Sequence, residues 1–273
     1  MSDMRVAVIQ LAYDDGESFD ARVDRVAGLV AAQAGHDLVI LPELWAATGF
    51  DYTRWSREAQ PLDGPWAAAM VDAARAVGAT LHAGSFVERL PEPGVDGRDL
   101  ANTSVVYAAD GGLRAVYRKV HRFGFGAGEP RLMEAGEDVV VTRVPAGAGT
   151  DELVVAGLSA CYDLRFPELY RSQVDAGAEM FLVTAAWPAA RVAHWTLLGQ
   201  ARAVENQCVM VQCNTGGAHA GHQMGGHSQV VSASGEVLAQ ARGADEEVLS
   251  VEVDTRITAA YRRDFPVLED RRL

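Results

Sequence analysis

Lysine is almost missing from this sequence: of 24 basic residues in 273, only Lys119 is lysine and the rest are arginine. Arginine is a poor replacement where a compact ammonium or a reversible proton is needed, so position 119 is singled out, the plain alternative being a surface lysine left by chance. Positive charge as a whole is scarce. Against 37 acidic residues the net charge is −13, a balance that repels phosphate backbones and anionic headgroups and argues against nucleic acid or a membrane as partner. There are only three cysteines, Cys161, Cys208 and Cys213, odd in number and without a CxxC spacing. This argues against a disulfide framework and a zinc knuckle and leaves free thiols. Nowhere do about 18 apolar residues run together, and the opening MSDMRVAVIQ carries no basic-then-apolar leader pattern, so a soluble cytoplasmic protein is expected.

What is present is a long alternation of strand-like and helix-like segments. Val6–Gln10 and Asp37–Leu41 read as buried strands, separated by a helix whose apolar positions Val23, Val26, Leu29 and Val30 recur at helical spacing. Pro65 to Gly78 reads as a helix with proline in its first turn and glycine at its end. Thr80–Val87, Thr103–Ala108 and Leu113–Tyr117 follow as strands, the last two joined by a turn at Asp110-Gly111-Gly112. A glycine-rich loop, Phe123 to Gly136, leads to strands at Val139–Val144 and Leu153–Leu158, a helix at Pro167–Asp175, a strand at Met180–Thr184, a helix at Arg191–Asn206 and a strand at Val209–Cys213. Strands at Ser228–Val231, Val237–Ala241 and Val248–Val253 and a final helix from Thr255 complete the pattern, with surface loops at Pro91–Gly97 and Gly147–Thr150. Hairpin signals break the strict βαβ rhythm, which favours a mixed sheet or two-sheet sandwich flanked by helices over a pure parallel sheet. With no linker, repeat or low-complexity tract, residues 1–273 are expected to be one domain, with 254–273 a tail available to a partner subunit.

Three polar groups fall beside strand ends: Glu43 in Leu-Pro-Glu-Leu, Lys119 in Tyr-Arg-Lys-Val-His, and Cys161 in Ser-Ala-Cys-Tyr-Asp-Leu-Arg-Phe-Pro-Glu. A thiol on a strand-to-helix turn lies near backbone N–H groups that stabilise a thiolate or an oxyanion, although free cysteines are also often plain buried hydrophobes. Cys208 and Cys213, in and beside an apolar run, read as core. Glu43 is held between Pro42 and Leu44-Trp45, a shielded setting that suits a base; a lone Glu after a strand is otherwise a solvated strand end.

Taken in order, Leu41-Pro42-Glu43, Tyr117 to His121, Cys161 to Leu169, Gln200 to Gln207 and Gly226-His227-Ser228 resemble the nitrilase superfamily of carbon-nitrogen hydrolases, over Val6 to about Val253. The resemblance implies an α/β fold, a four-layer αββα sandwich with mixed sheets that dimerises to αββα-αββα. It also implies a Glu43-Lys119-Cys161 site with no metal or organic cofactor, and a second glutamate after the lysine, with Glu129 the best match and Glu134 the alternative. In such a site Glu43 takes the thiol proton, Lys119 and the Tyr162 N–H hold the oxyanion, and Glu129 orients Lys119. Cys161-Tyr-Asp-Leu-Arg165-Phe166 and Ala186-Trp187-Pro188-Ala-Ala-Arg191, followed by His194-Trp195, look like the ω-amidase branch, which releases ammonia from terminal amides of 2-oxo dicarboxylates such as 2-oxoglutaramate. The implied substrate-binding residues are Trp187, Arg191, Phe123 and Arg165, with Arg191 either paired to the far carboxylate or simply exposed at a helix start. Deaminated glutathione, an N-carbamoyl compound or a secondary-metabolite amide at the same site is the alternative, and a non-catalytic scaffold the remaining one. His219, His222 and His227 lack the carboxylate or thiol pattern of a metal site. Trp45, Phe50, Trp55 and Phe123 either shape the pocket or belong to the core. The expected partners are a small amide substrate and a second copy of the chain in a homodimer or higher homo-oligomer.

Overall fold

The computed structural model describes residues 3–147 and 150–272; the middle of the loop expected at 147–150 lies outside them. The first half runs through β1 (Met4–Gln10), β2 (Ala12–Tyr13), α1 (Phe19–Ala31), β3 (Leu38–Ile40), α2 (Tyr52–Glu58), α3 (Pro65–Val77), β4 (Thr80–Arg89), β5 (Leu100–Tyr107) and β6 (Leu113–Arg118). The second half comprises α4 (Glu129–Leu132), β7 (Val141–Pro145), β8 (Leu153–Ala160), α5 (Pro167–Asp175), β9 (Met180–Ala185), α6 (Val192–Asn206), β10 (Val209–Asn214), β11 (Gly216–His219), β12 (His222–Gln223), β13 (Gln229–Val231), β14 (Val237–Gln240), β15 (Glu247–Val253) and α7 (Ile257–Asp264).

Two six-stranded mixed sheets result, ordered β15-β1-β3-β4-β5-β6 and β14-β13-β10-β9-β8-β7. Each has parallel strands at its centre (β1, β3, β4; β8, β9, β10) and antiparallel strands outside them. The expected mixed α/β class is thus observed.

Strand period two decides what packs where. On β1, Val6 and Val8 share a core cluster with Leu158, Leu182 and Val211 of the other sheet, whereas Ala7 and Ile9 pack with Val23, Val26 and Val30 of α1 and Met70, Ala74 and Val77 of α3. On β9, Leu182 joins the cluster between the sheets, while Phe181 and Val183 pack with Tyr170 of α5 and Trp195 and Ala203 of α6. Burying each such aliphatic side chain contributes about 1.5–3 kcal/mol.

Helix ends follow local chemistry. The Ser18 side chain accepts from Ala21 N–H at the start of α1, and α3 stops at Gly78, whose φ of 68° is the left-handed conformation that glycine adopts cheaply. The tail beyond β15 packs on its own chain: Arg262 of α7 donates to the carbonyls of Ala178 (2.9 Å) and Asn206 (3.1 Å), and Thr258 to that of Glu179 (3.0 Å). No helix among the described residues is long and apolar enough to cross a membrane.

Candidate active site

The C-terminal ends of strands from both sheets bring separate segments together, as α/β folds commonly do. β3 leads into Leu41-Pro42-Glu43, β6 into Lys119, β8 into Cys161 and β9 into Ala186. The turn carrying Glu43 is fixed from several sides. Ser85 N–H donates to the Pro42 carbonyl (3.2 Å), Leu44 N–H to Ser85 Oγ (3.0 Å) and Glu43 N–H to the Ala185 carbonyl (3.3 Å). That approach requires Gly84, where φ is +70° and a Cβ would lie 2.0 Å from the Pro42 carbonyl oxygen. Gly84→Ala is therefore expected to push the Pro42-Glu43 turn away and to cost about 2 kcal/mol or more, read as a lower thermal midpoint; an unchanged midpoint would contradict this account of the turn.

Lys119 Nζ donates to Glu43 Oε1 (2.7 Å) and to both oxygens of Glu129 (3.1 and 2.9 Å), and all three side chains are buried. Glu129 opens the short helix α4, and its Oε2 also accepts the Phe123 N–H. Glu134 faces elsewhere, accepting from the N–H groups of Asp96 (2.8 Å) and Arg98 (3.3 Å), so the lysine's second carboxylate is Glu129. Glu43 Oε2 accepts from Ala186 N–H (2.9 Å). Asn102, on β5, was not singled out by sequence reasoning, yet its Nδ2 donates to Glu43 Oε1 (2.8 Å) and Glu129 Oε1 (2.6 Å).

Cys161 begins a 3-10 turn, Cys161–Arg165, with φ of +48°, a conformation that costs a non-glycine residue of order 1–3 kcal/mol unless its surroundings impose it. Asp163 imposes it here. Fully buried, it accepts from Ala160 N–H (2.9 Å), the Tyr117 hydroxyl (2.6 Å) and His121 N–H (2.9 Å), with His121 Nδ1 at 2.8 Å. These bonds tie the cysteine turn to the segment carrying Lys119; Asp163 lay inside the quoted motif but drew no separate role from sequence.

Electrostatics follow from burial and charge. Burial and the nearby Glu43 carboxylate hold Cys161 well above the ordinary thiol range, with Lys119 pulling the other way. The resting sulfur is a thiol, so a nucleophilic role requires a base at the moment of attack. Burial works against a charged Lys119, but the Glu129 and Glu43 carboxylates outweigh it and raise its pKa well above the usual lysine value. Burial likewise raises Glu129 despite the Lys119 charge.

Glu43, Lys119, Glu129 and Cys161 line one cavity. An adjoining cavity shares Phe50, Phe123, Cys161 and Ala186 and runs past Tyr162, Arg165, Trp187, Pro188 and Arg191. The Arg165 guanidinium lies 4.7 Å from the Trp187 ring centroid and that of Arg191 5.6 Å from Phe123. Trp55 also lines the first cavity, whereas Trp45 is core, its indole N–H donating to the Ala83 carbonyl (3.0 Å). Cys208 and Cys213 are buried in packing clusters as expected. No three His, Cys, Asp or Glu side chains among the described residues converge as metal ligands; His219 stacks on Tyr13 at 4.5 Å and His222 lies 4.7 Å from Phe50.

Residues 5–263 match the carbon-nitrogen hydrolase family. The chain belongs to that family. It is 42% identical over 267 residues to a 2-oxoglutaramate amidase of Paenarthrobacter nicotinovorans, covering 98% of this chain and 89% of that protein. A 2-oxoglutaramate amidase of Bacillus subtilis is 33% identical over 237 residues, covering 86% and 85%. Among solved structures, a CN-hydrolase superfamily protein from Xanthomonas campestris, with an arsenic adduct in its active site, superposes with a TM-score of 0.88 at 27% identity over 100% of this chain and 98% of that one.

Proposed function

We propose that this carbon-nitrogen hydrolase is an ω-amidase that cleaves the terminal carboxamide of a 2-oxo dicarboxylate monoamide such as 2-oxoglutaramate. The observation that carries the reading is the cavity shared by Cys161, Glu43, Lys119 and Glu129, which continues towards two guanidiniums, Arg165 and Arg191, neither of which has a carboxylate within ion-pair distance among the described residues. The chemistry occupies one end and a free carboxylate of the substrate meets the cations at the other.

In this reading Glu43 takes the Sγ proton as sulfur attacks the amide carbon. Lys119 and the Tyr162 N–H hold the oxyanion, each such donor contributing about 3 kcal/mol to the transition state. When the tetrahedral species collapses, the C–N bond breaks and Glu43 passes its proton to nitrogen, which leaves as ammonia. Glu43 then takes a proton from water as that water attacks the thioester; the C–S bond breaks and the thiol and a carboxylate product are released. Glu129 holds Lys119 in place throughout, and Phe123 and Trp187 wall the acyl group.

Ammonia release from 2-oxoglutaramate, measured beside aliphatic amides, deaminated glutathione and an N-carbamoyl amino acid, tests the proposal. Silence on every amide would overturn the amidase reading, and preference for another panel member would overturn the substrate. Arg191→Ala is expected to raise KM for 2-oxoglutaramate by about 10- to 100-fold, the size of a lost charge-assisted contact, while leaving an uncharged amide such as butyramide within about twofold. Equal effects on both substrates would remove Arg191 from carboxylate binding.

The same reading treats the chain as one domain, an αββα sandwich pairing into an αββα-αββα homodimer in the cytoplasm. It is supported by exposed Leu197 and Val204 seven residues apart on α6, exposed Phe265 and Val267 in the tail, and three unpaired cysteines. A monomer mass by light scattering would overturn the pairing.

A further inference from the structure

We propose that Asn102 is a positioning residue that keeps the two carboxylates flanking Lys119 ionised and leaves Glu43 Oε2 as the oxygen that receives the thiol proton. The inference rests on the Glu43-Lys119-Cys161 reading above and extends it to a residue on a different strand.

The argument is a count of donors and lone pairs. Both hydrogens of the Asn102 amide are committed, one to Oε1 of Glu43 (2.8 Å) and one to Oε1 of Glu129 (2.6 Å). Lys119 Nζ donates to the same Glu43 Oε1 (2.7 Å), so that oxygen carries two donors and has no lone pair left for a proton. Among the described residues Glu43 Oε2 accepts one hydrogen bond, from the Ala186 N–H (2.9 Å), and so retains one lone pair. On Glu129 every oxygen is likewise occupied: Oε1 by Asn102 and Lys119, Oε2 by Lys119 and the Phe123 N–H. Among the described residues the one vacant acceptor position in the carboxylate pair is therefore on Glu43.

Asn102 is suited to this because it is neutral and cannot itself titrate. Two buried carboxylates sharing one ammonium carry a net negative charge, which favours uptake of a proton by the pair, and a proton held there would cost the base its function. Two N–H donors oppose that uptake without adding a charge. The other titratable groups near the cluster are the Cys161 thiol, Tyr13, Tyr52 and Asp163, and none of them donates to either Oε1 atom among the described residues. The position is rigid as well: Lys119 N–H donates to the Asn102 carbonyl (2.9 Å), so β5, which carries the amide, holds the residue that follows β6 in register beside it. Asn102 Oδ1 is buried without a partner among the described residues, which marks the side chain as oriented by its Nδ2 contacts.

Asn102→Ala and Asn102→Asp decide the matter through the pH dependence of Cys161 alkylation by iodoacetamide, followed by peptide mass, alongside kcat/KM on 2-oxoglutaramate. In Asn102→Ala the acid limb of both profiles is expected to move up by at least about one pH unit, since the anions lose two donors, and kcat falls more than KM rises. In Asn102→Asp a protonated carboxyl restores one donor, so the deficit relative to wild type narrows as pH falls. A wild-type acid limb in Asn102→Ala, in a variant with a native circular dichroism spectrum, would overturn the proposal. Alkylation needs no substrate, so a wild type that hydrolyses no amide refutes the functional reading while the alkylation profiles still judge Asn102.

Discussion

Cys161→Ala is expected to lower ammonia release from 2-oxoglutaramate by about four orders of magnitude or more, the scale on which removing a nucleophile acts. The loss should be in turnover with the fold intact. The Cys161 turn owes its conformation to Asp163, whose bonds to Ala160, Tyr117 and His121 do not involve the sulfur. Cys161 is only 8% exposed, and removing its sulfur leaves a small gap beside an existing cavity rather than an unpaired charge. The thermal midpoint should therefore stay close to wild type while turnover disappears. The wild-type enzyme mixed with substrate and quenched in acid should show an acyl adduct by intact mass on the peptide containing Cys161, and Cys161→Ala should show none. An alanine variant that still releases ammonia, or an adduct on Cys208 or Cys213, would refute the nucleophile assignment; a binding function untouched by the substitution would favour the scaffold reading instead.

Much of the architecture was legible because apolar runs and helix punctuation are local signals. Val6–Gln10, the Pro65–Gly78 helix and Pro167–Asp175 fall where composition puts them. What escaped was encoded in tertiary contacts. Helix α2, Tyr52–Glu58, buries only Trp55, so its seven residues show no apolar periodicity, and β2, β11 and β12 are too short to stand out. Strand β5 begins at Leu100 rather than Thr103 because Asn102 is a buried polar residue paid for by hydrogen bonds to two carboxylates that lie 59 and 27 positions away. The choice between Glu129 and Glu134 turned on direction rather than spacing, with one carboxylate facing Lys119 and the other the N–H groups of Asp96 and Arg98. Cys161, Glu43 and Lys119 were readable since each sits beside a strand end inside a distinctive segment. Arg165 and Arg191 share a cavity because the 3-10 turn after β8 and the turn after β9 end side by side, and neither turn alone implies that meeting.

Lys119→Arg is the second large effect, and it separates charge from shape. The substitution keeps a cation between Glu43 and Glu129, so it avoids the 3–5 kcal/mol that leaving buried charges unpaired commonly costs. What it loses is geometry. One ammonium nitrogen reaches Glu43 Oε1 and both Glu129 oxygens at 2.7 to 3.1 Å in a site that exposes only 2% of the lysine. A guanidinium spreads five donors over a plane that matches one carboxylate at a time, and its extra atoms must displace Glu129 or intrude on the space beside Cys161. Overpacking of that kind costs about 1–3 kcal/mol, so the thermal midpoint should fall modestly. Turnover should fall by about 10²–10³, because the oxyanion donor no longer points at the oxygen that charges in the transition state. The steady-state signature is a drop in kcat with KM for 2-oxoglutaramate little changed, opposite to that of Arg191→Ala, since the cavity leading to Arg165 and Arg191 is lined by neither Lys119 nor Glu129. Near-normal turnover in Lys119→Arg would mean that the lone lysine in this arginine-rich chain is an accident of composition, and that any cation between the two glutamates suffices.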